Sequence, residues 1–312
     1  MKKFIVLLII LIIAGCSTKS EKEAGSLPDF DALWDYNNPQ QTEVKFRELL
    51  PLAKESNDTS YYAQLLTQIA RTQGLQRKFD EAHSTLDSVE AMLADKLTVA
   101  KIRYLLERGR VYNSSNQREK SIPLFNDAWD LGIKNNEDFY AVDAAHMLAI
   151  VEPSEAQLEW SEKAIKLAEK SKDPRARNWL GSLYNNTGWT YHDLKQYDKA
   201  LGMFQKALSW QEKKGNEENI RIAKWTIART YRSLGKIEKA LQIQRELEKE
   251  FKEKGVEQDG YVFEEIGECL FLLDRKDEAK KYFQQAYELL SKDEWLLANQ
   301  PERLKRLNEL SR

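Results

Sequence analysis

Three histidines (His83, His146 and His192), two cysteines (Cys16 and Cys269) and 50 carboxylates are the groups of this 312-residue chain suited to nucleophilic, acid–base or metal chemistry. Their spacing assembles none of it. No His-Glu-x-x-His and no Cys-x-x-Cys occurs, so neither common zinc motif is present. None of the 13 glycines forms a Gly-x-Gly, which leaves no loop to cradle a phosphate or dinucleotide. Any nucleophile–base pair drawn from so many carboxylates would be arbitrary, because no spacing demands it. The expectation is a non-enzyme without catalytic residues, metal or cofactor. Cys269 lies in the apolar stretch Gly267-Glu268-Cys269-Leu270-Phe271 and is expected to be a small packing residue, not a reactive thiol.

Composition narrows the class further. The chain has 48 Lys+Arg against 50 Asp+Glu and an isoelectric point near 6.1, without the basic excess of a nucleic-acid binder. With 42% apolar residues it has ample material for a core, so wholesale disorder is excluded. Few glycines and prolines among abundant Leu, Ala, Glu and Lys predict helices.

The first residues carry an address. Lys2-Lys3 precedes an unbroken apolar run of eleven residues, Phe4 to Ala14. A comfortable membrane-crossing helix needs about 20 residues, so the run fits a secretory signal better. Ile13-Ala14-Gly15-Cys16 resembles the lipobox of bacterial lipoproteins. The resemblance implies cleavage before Cys16 and acylation of that residue, with palmitate among its chains. Two or more acyl chains give stable anchoring. Ser17 after the cysteine resembles lipoproteins sent to the outer membrane of Gram-negative bacteria. The polar run Ser17 to Ser26 has the composition of a flexible tether, with a span of roughly 15–20 Å.

The elements that must position any site recur along the chain. Gly188, Tyr191, Ala200, Phe204 and Ala207 resemble positions 8, 11, 20, 24 and 27 of the tetratricopeptide repeat (TPR), a two-helix unit. With repeats starting at 63, 102, 138, 181, 221 and 260, position 8 reads Ala70, Gly109, Ala145, Gly188, Ala228 and Gly267. Six small residues in six places exceed what helix amphipathicity alone requires. Position 24 reads Leu86, Phe125, Ser161, Phe204, Gln244 and Phe283. Each hairpin has an apolar face that it buries only by stacking on its neighbours. The predicted fold is all-α: a TPR-type α-solenoid of about six hairpins with capping helices at both ends. The predicted division is a signal peptide over 1–15, acylated Cys and tether over 16–27, N-terminal capping helices over 28–62, the array over 63–298 and a C-terminal capping helix over 299–312. Within the N-terminal cap, Pro39 to Lys54 reads as one helix with Asn38 as N-cap and Pro39 in its first turn. Pro301 to Leu310 places Leu304, Leu307 and Leu310 on one face.

The TPR resemblance implies that positions 2, 5, 9 and 12 of each first helix line a concave groove. These positions lie on one helical face. They carry five arginines: Arg71, Arg103, Arg110, Arg229 and Arg232. Asn113, His146, Asn185, Trp189, His192 and Trp225 complete the predicted groove set. The only acids at these positions, Glu264 and Glu268, fall in the last repeat. Arginine offers a fork to a carboxylate, asparagine both donates to and accepts from a peptide backbone, and arginine and tryptophan are enriched at interface hot spots. His146 and His192 are expected to be polar groove lining. The expected function is a scaffold of the bacterial cell envelope that binds a protein or extended peptide, meets the membrane through acylated Cys16 and binds no nucleic acid. The alternative is a lipoprotein that binds a small ligand such as a glycan.

Overall fold

The computed structural model describes residues 26–94 and 96–312. The predicted signal peptide, Cys16 and all but the last two residues of the predicted tether lie outside the described residues. Among the described residues the secondary structure is helical throughout, with no strand. No described helix is long and apolar enough to cross a membrane.

A 3-10 turn, Phe30–Leu33, precedes α1 (Pro39–Glu48) and α2 (Leu50–Glu55). The single helix expected up to Lys54 is interrupted at Leu49. Pro51 lacks the N–H that would bond to Arg47, so a continuous ladder is impossible there. Six hairpins follow. They pair α3 (Thr59–Leu75) with α4 (Phe79–Glu90), α5 (Thr98–Ser114) with α6 (Arg118–Lys134), and α7 (Asp138–Val151) with α8 (Ser154–Lys170). The fourth begins with a single turn, α9 (Pro174–Asn178), and pairs α10 (Leu180–Asp193) with α11 (Tyr197–Lys214). The last two pair α12 (Glu217–Ser233) with α13 (Ile237–Lys254), and α14 (Gly260–Leu272) with α15 (Lys276–Leu290). Then α16 (Glu294–Asn299) and α17 (Pro301–Leu310) end the solenoid.

Side-chain caps occur at the start of four of the six repeats and at none of the second helices. Asp58, Asp173, Asn216 and Asp259 each accept a backbone N–H at the start of a repeat, for example Tyr61 N to Asp58 Oδ1 at 2.9 Å. The second helices start without a side-chain cap. Within five of the six hairpins the turn is the same, with position 15 in the left-handed region: Arg77, Asn116, Lys195, Gly235 and Asp274. The third differs because Pro153 follows Glu152 and holds it extended.

The core repeats one arrangement with two chemistries. In the second, fourth and sixth hairpins position 8 is glycine and position 24 is a fully buried phenylalanine. A Cβ added at Gly188 would sit 2.5 Å from the Phe204 ring, and one at Gly109 2.5 Å from Phe125. The alternate hairpins pair alanine with a smaller or non-aromatic residue: Ala70 with Leu86, Ala145 with Ser161, Ala228 with Gln244. Cys269 is fully buried, and burial pushes its thiol up to about 12, consistent with its expected packing role. At the C-terminus Leu304 and Leu307 are buried and Leu310 packs half-buried against the same core.

Candidate functional site

The concave face is formed by the first helices, α3, α5, α7, α10, α12 and α14. All five predicted arginines reach it, and each already holds a carboxylate of the chain. The rule is visible in three steps: an arginine at position 9 reaches an acid at position 6 of the next repeat. Arg71 donates to Glu107 at 3.1 Å, Arg110 to Asp143, and Arg229 to Glu265. Arg110 also donates to Glu107 at 2.8 Å, so that carboxylate bridges two guanidiniums. Glu265 bridges likewise, accepting Arg232 at 2.7 and 2.8 Å beside Arg229. Burial alone would raise Glu265, but hydrogen bonds and charge from Arg232 and Arg229 outweigh it and hold the group below the usual carboxylate range.

The expectation that groove acids are confined to the last repeat is therefore corrected. Glu107, Asp143 and Glu265 sit at position 6, one residue past the face taken to line the groove, and fold inward to meet the arginines. The signal was in the sequence: an acid stands at position 6 in all three repeats whose predecessor supplies an arginine at position 9. Position 5 departs in the other sense, since Thr67 and Val142 are fully buried and line nothing. Glu264 and Glu268 do face the groove, but they accept from Arg303 and Arg306 of α17, which extends the ladder through the C-terminal helix.

The other predicted residues divide between two ends of the groove. Asn113 borders a small hollow with Arg71, Arg110 and Met147. His146 packs against Trp179 with ring centres 5.0 Å apart, and His192 meets Ser233 Oγ at 2.9 Å. Burial lowers both imidazoles, and the two have separate neighbours, so they form no pair. Toward the C-terminus, Trp189, Trp225 and Tyr261 form a ladder with ring centres 6.0 and 6.1 Å apart. Trp225 Nε1 donates to the Tyr261 carbonyl at 3.2 Å. Asn185 lies half-buried beside exposed Asn186, with their side chains 3.4 Å apart. Among the described residues no three His, Cys, Asp or Glu side chains come together as a metal site.

One occupant of the groove was not foreseen. Residues 27–37 run as a strap along the concave side of α3 and reach across to α5. Tyr61 Oη donates to the Pro28 carbonyl at 2.8 Å, and Trp34 Nε1 donates to Gln68 Oε1 at 3.0 Å. Asp31 accepts both terminal nitrogens of Arg103, whose Nε donates to Tyr140 Oη at 2.9 Å. The same guanidinium lies between the rings of Phe30 and Tyr140, at 5.2 and 5.4 Å from their centres. Tyr36 stacks on Trp34 with ring centres 4.6 Å apart, and the Arg71 guanidinium lies 5.8 Å from the centre of the Tyr36 ring. Strap and repeats together line an open cleft of about 570 Å³, walled by Arg71, Arg103, Arg110, Arg175, Phe139 and Trp179.

Residues 180–249 and 262–291 match tetratricopeptide repeat family models, and the chain carries tetratricopeptide repeats. Solved structures share the fold, three of them as follows. Apo RapI is similar over 85% of this chain and 76% of its own, with 15% identity and a TM-score of 0.70. A STAND signal-transduction ATPase with a tetratricopeptide repeat sensor from Pyrococcus horikoshii aligns over 84% of this chain and 40% of its own, at 18% identity and TM-score 0.65. The C-terminal part of a TPR repeat-containing protein from Cytophaga hutchinsonii aligns over 86% of this chain and 97% of its own, at 16% identity and TM-score 0.51. At these identities the likeness is one of fold. No curated protein matches the sequence.

Proposed function

We propose that this TPR solenoid is a non-catalytic scaffold of the bacterial cell envelope, held at the membrane through acylated Cys16, that receives an extended protein segment in its concave groove. The observation that carries the reading is the strap. A stretch of non-repeat chain, with a 3-10 turn at Phe30–Leu33, already lies in the groove, held by a carboxylate on Arg103, an indole on Gln68 and a backbone carbonyl on Tyr61. Those are side-chain and main-chain interactions of the kind a foreign peptide would make. The Trp189–Trp225–Tyr261 ladder continues the same face beyond the strap with half-buried aromatic rings. The Arg71–Glu107–Arg110–Asp143 and Arg229–Glu265–Arg232 networks are neutralised within the repeats, so they set the shape of the face and leave recognition to Arg103, whose partner comes from the strap, and to these aromatic rings and amide groups.

The test is cross-linking in intact envelopes, comparing wild type with Trp189→Ala/Trp225→Ala. Truncating one hot-spot aromatic costs about 2 kcal/mol or more, roughly a thirtyfold loss of affinity. Selective loss of cross-linked proteins at unchanged helicity is the expected result, and equal recovery would refute the groove assignment. Cys16→Ser should move the protein out of the membrane fraction, and unchanged fractionation would overturn the anchor.

A further inference from the structure

The Arg103 side chain is 6% exposed, whereas the Asp31 carboxylate that it holds is 42% exposed. The receiving half of this ion pair is built into the repeats: α5 supplies the guanidinium, α7 supplies the Tyr140 hydroxyl, and the Arg71–Glu107–Arg110–Asp143 network closes one side. The received half belongs to a strap that buries a single side chain, Phe30, and leaves Tyr36 61% exposed. A buried arginine whose counter-ion arrives on a lightly held segment has the form of a carboxylate receptor with a resident occupant.

Resting on the groove reading above, we propose that Arg103 and Tyr140 form the carboxylate-receiving subsite of the groove, and that the chain's own Asp31 fills it until an acidic, aromatic peptide segment displaces the strap. Charge fixes the class of ligand. Of the residues walling the cleft, four are arginines and three are acids, and Asp31 is one of those acids. Arg175 is already held by Asp173 just outside that wall, at 2.8 Å. Once the strap leaves, four guanidiniums therefore face three carboxylates and Arg103 is the one left without a partner, so an entering segment must bring an anionic group to it. The rings of Phe139, Tyr140 and Trp179 lie in the same wall and suit an aromatic neighbour of that group. The strap supplies the model of such a ligand, an aspartate following a phenylalanine with a tryptophan three residues on.

The probe is a synthetic, dye-labelled peptide of residues 27–37, with a second in which only the residue matching Asp31 is asparagine. Both are titrated by fluorescence anisotropy against the full chain, as wild type and as Phe30→Ala/Asp31→Asn, which loosens the strap at its two strongest holds. Apparent affinity scales with the fraction of molecules whose groove is open. The loosened variant should therefore bind the aspartate probe about tenfold or more tightly than wild type, and the asparagine probe about tenfold less tightly than the aspartate probe. Arg103→Gln in the loosened background should erase the difference between probes. If that variant loses its helical signal, the two-probe comparison on the loosened chain decides alone. Equal affinity of both probes for the loosened chain would overturn the subsite, and equal affinity of wild type and loosened chain would overturn the gate. Binding that grows only with self-association of the chain would assign the strap to a second copy and overturn the proposal as well. Probe binding indifferent to Asp31 yet lost in Trp225→Ala would sink the subsite while leaving the groove reading intact.

Discussion

Replacing Gly188 with alanine should destabilise the protein, although alanine is the better helix former. Gly188 lies inside α10, where the exchange alone favours alanine by about 1 kcal/mol. The new Cβ, however, would meet Phe204 Cε1 at 2.5 Å, Cδ1 at 2.7 Å and Cζ at 2.9 Å. Ordinary carbon contact begins near 3.5 Å, so the ring or the helix must retreat by about 1 Å. Phe204 is fully buried and backed by Trp189 with ring centres 5.2 Å apart, so the ring has no free direction. Overpacking costs about 1–3 kcal/mol, and a clash this deep belongs at the upper end. Subtracting the propensity gain leaves a net loss of about 2 kcal/mol. Phe204→Leu alone leaves a cavity and also destabilises. Together the two changes recreate the Ala70/Leu86 pair of the first hairpin, so the double variant should lose less than the sum of the singles by about 1–2 kcal/mol. Urea denaturation followed by circular dichroism, read at the midpoint with the slope checked, measures all four corners of the cycle. Additive losses, or a Gly188→Ala variant as stable as wild type, would refute the claim that position 8 is set by the size of position 24.

Three further outcomes follow from the same packing. Gln244 is fully buried with neither amide atom hydrogen-bonded, so Gln244→Leu should raise stability by about 1 kcal/mol in the same urea assay. Glu265 is 1% exposed between Arg229 and Arg232, and Glu265→Ala, which strands two cations, should cost about 3 kcal/mol and lower the melting temperature. His83, His146 and His192 are all lowered by burial in the folded chain, so the unfolded chain binds protons first as pH falls below about 6.5. Their contribution to stability is complete above that value and declines as pH drops toward their lowered folded values. A melting temperature that is flat between pH 7 and 5.5 would contradict this.

Much of the architecture was legible because a repeat is local information. Small residues at position 8 every 36 to 43 residues mark where two helices touch, and nearest-neighbour stacking then determines the solenoid without long-range instruction. The C-terminal helix from Pro301 was readable from proline and leucine spacing, and appears with those bounds. The N-terminal helix was misread only where Pro51 removes a hydrogen bond. The left-handed turns were mostly hidden: Gly235 announces one, whereas Arg77 and Lys195 carry no such mark and are held in that conformation by the hairpins they join.

The groove shows the division most clearly. That Arg71, Arg110 and Arg229 face inward follows from position alone, since a helical face is a property of one helix. That each is neutralised depends on how far the next helix is rotated, which only the packed neighbour decides, and this brought Glu107, Asp143 and Glu265 into view. The strap lies further still from sequence reading. Asp31 and Arg103 are 72 residues apart, on a non-repetitive segment and a repetitive one, and no periodicity links them. Sequence by itself determined the fold, the concave face and the residue types that line it, because those are set by spacing within a repeat. Tertiary structure decided which charges remain available and what already occupies the groove, because both depend on contacts between elements that share no local pattern.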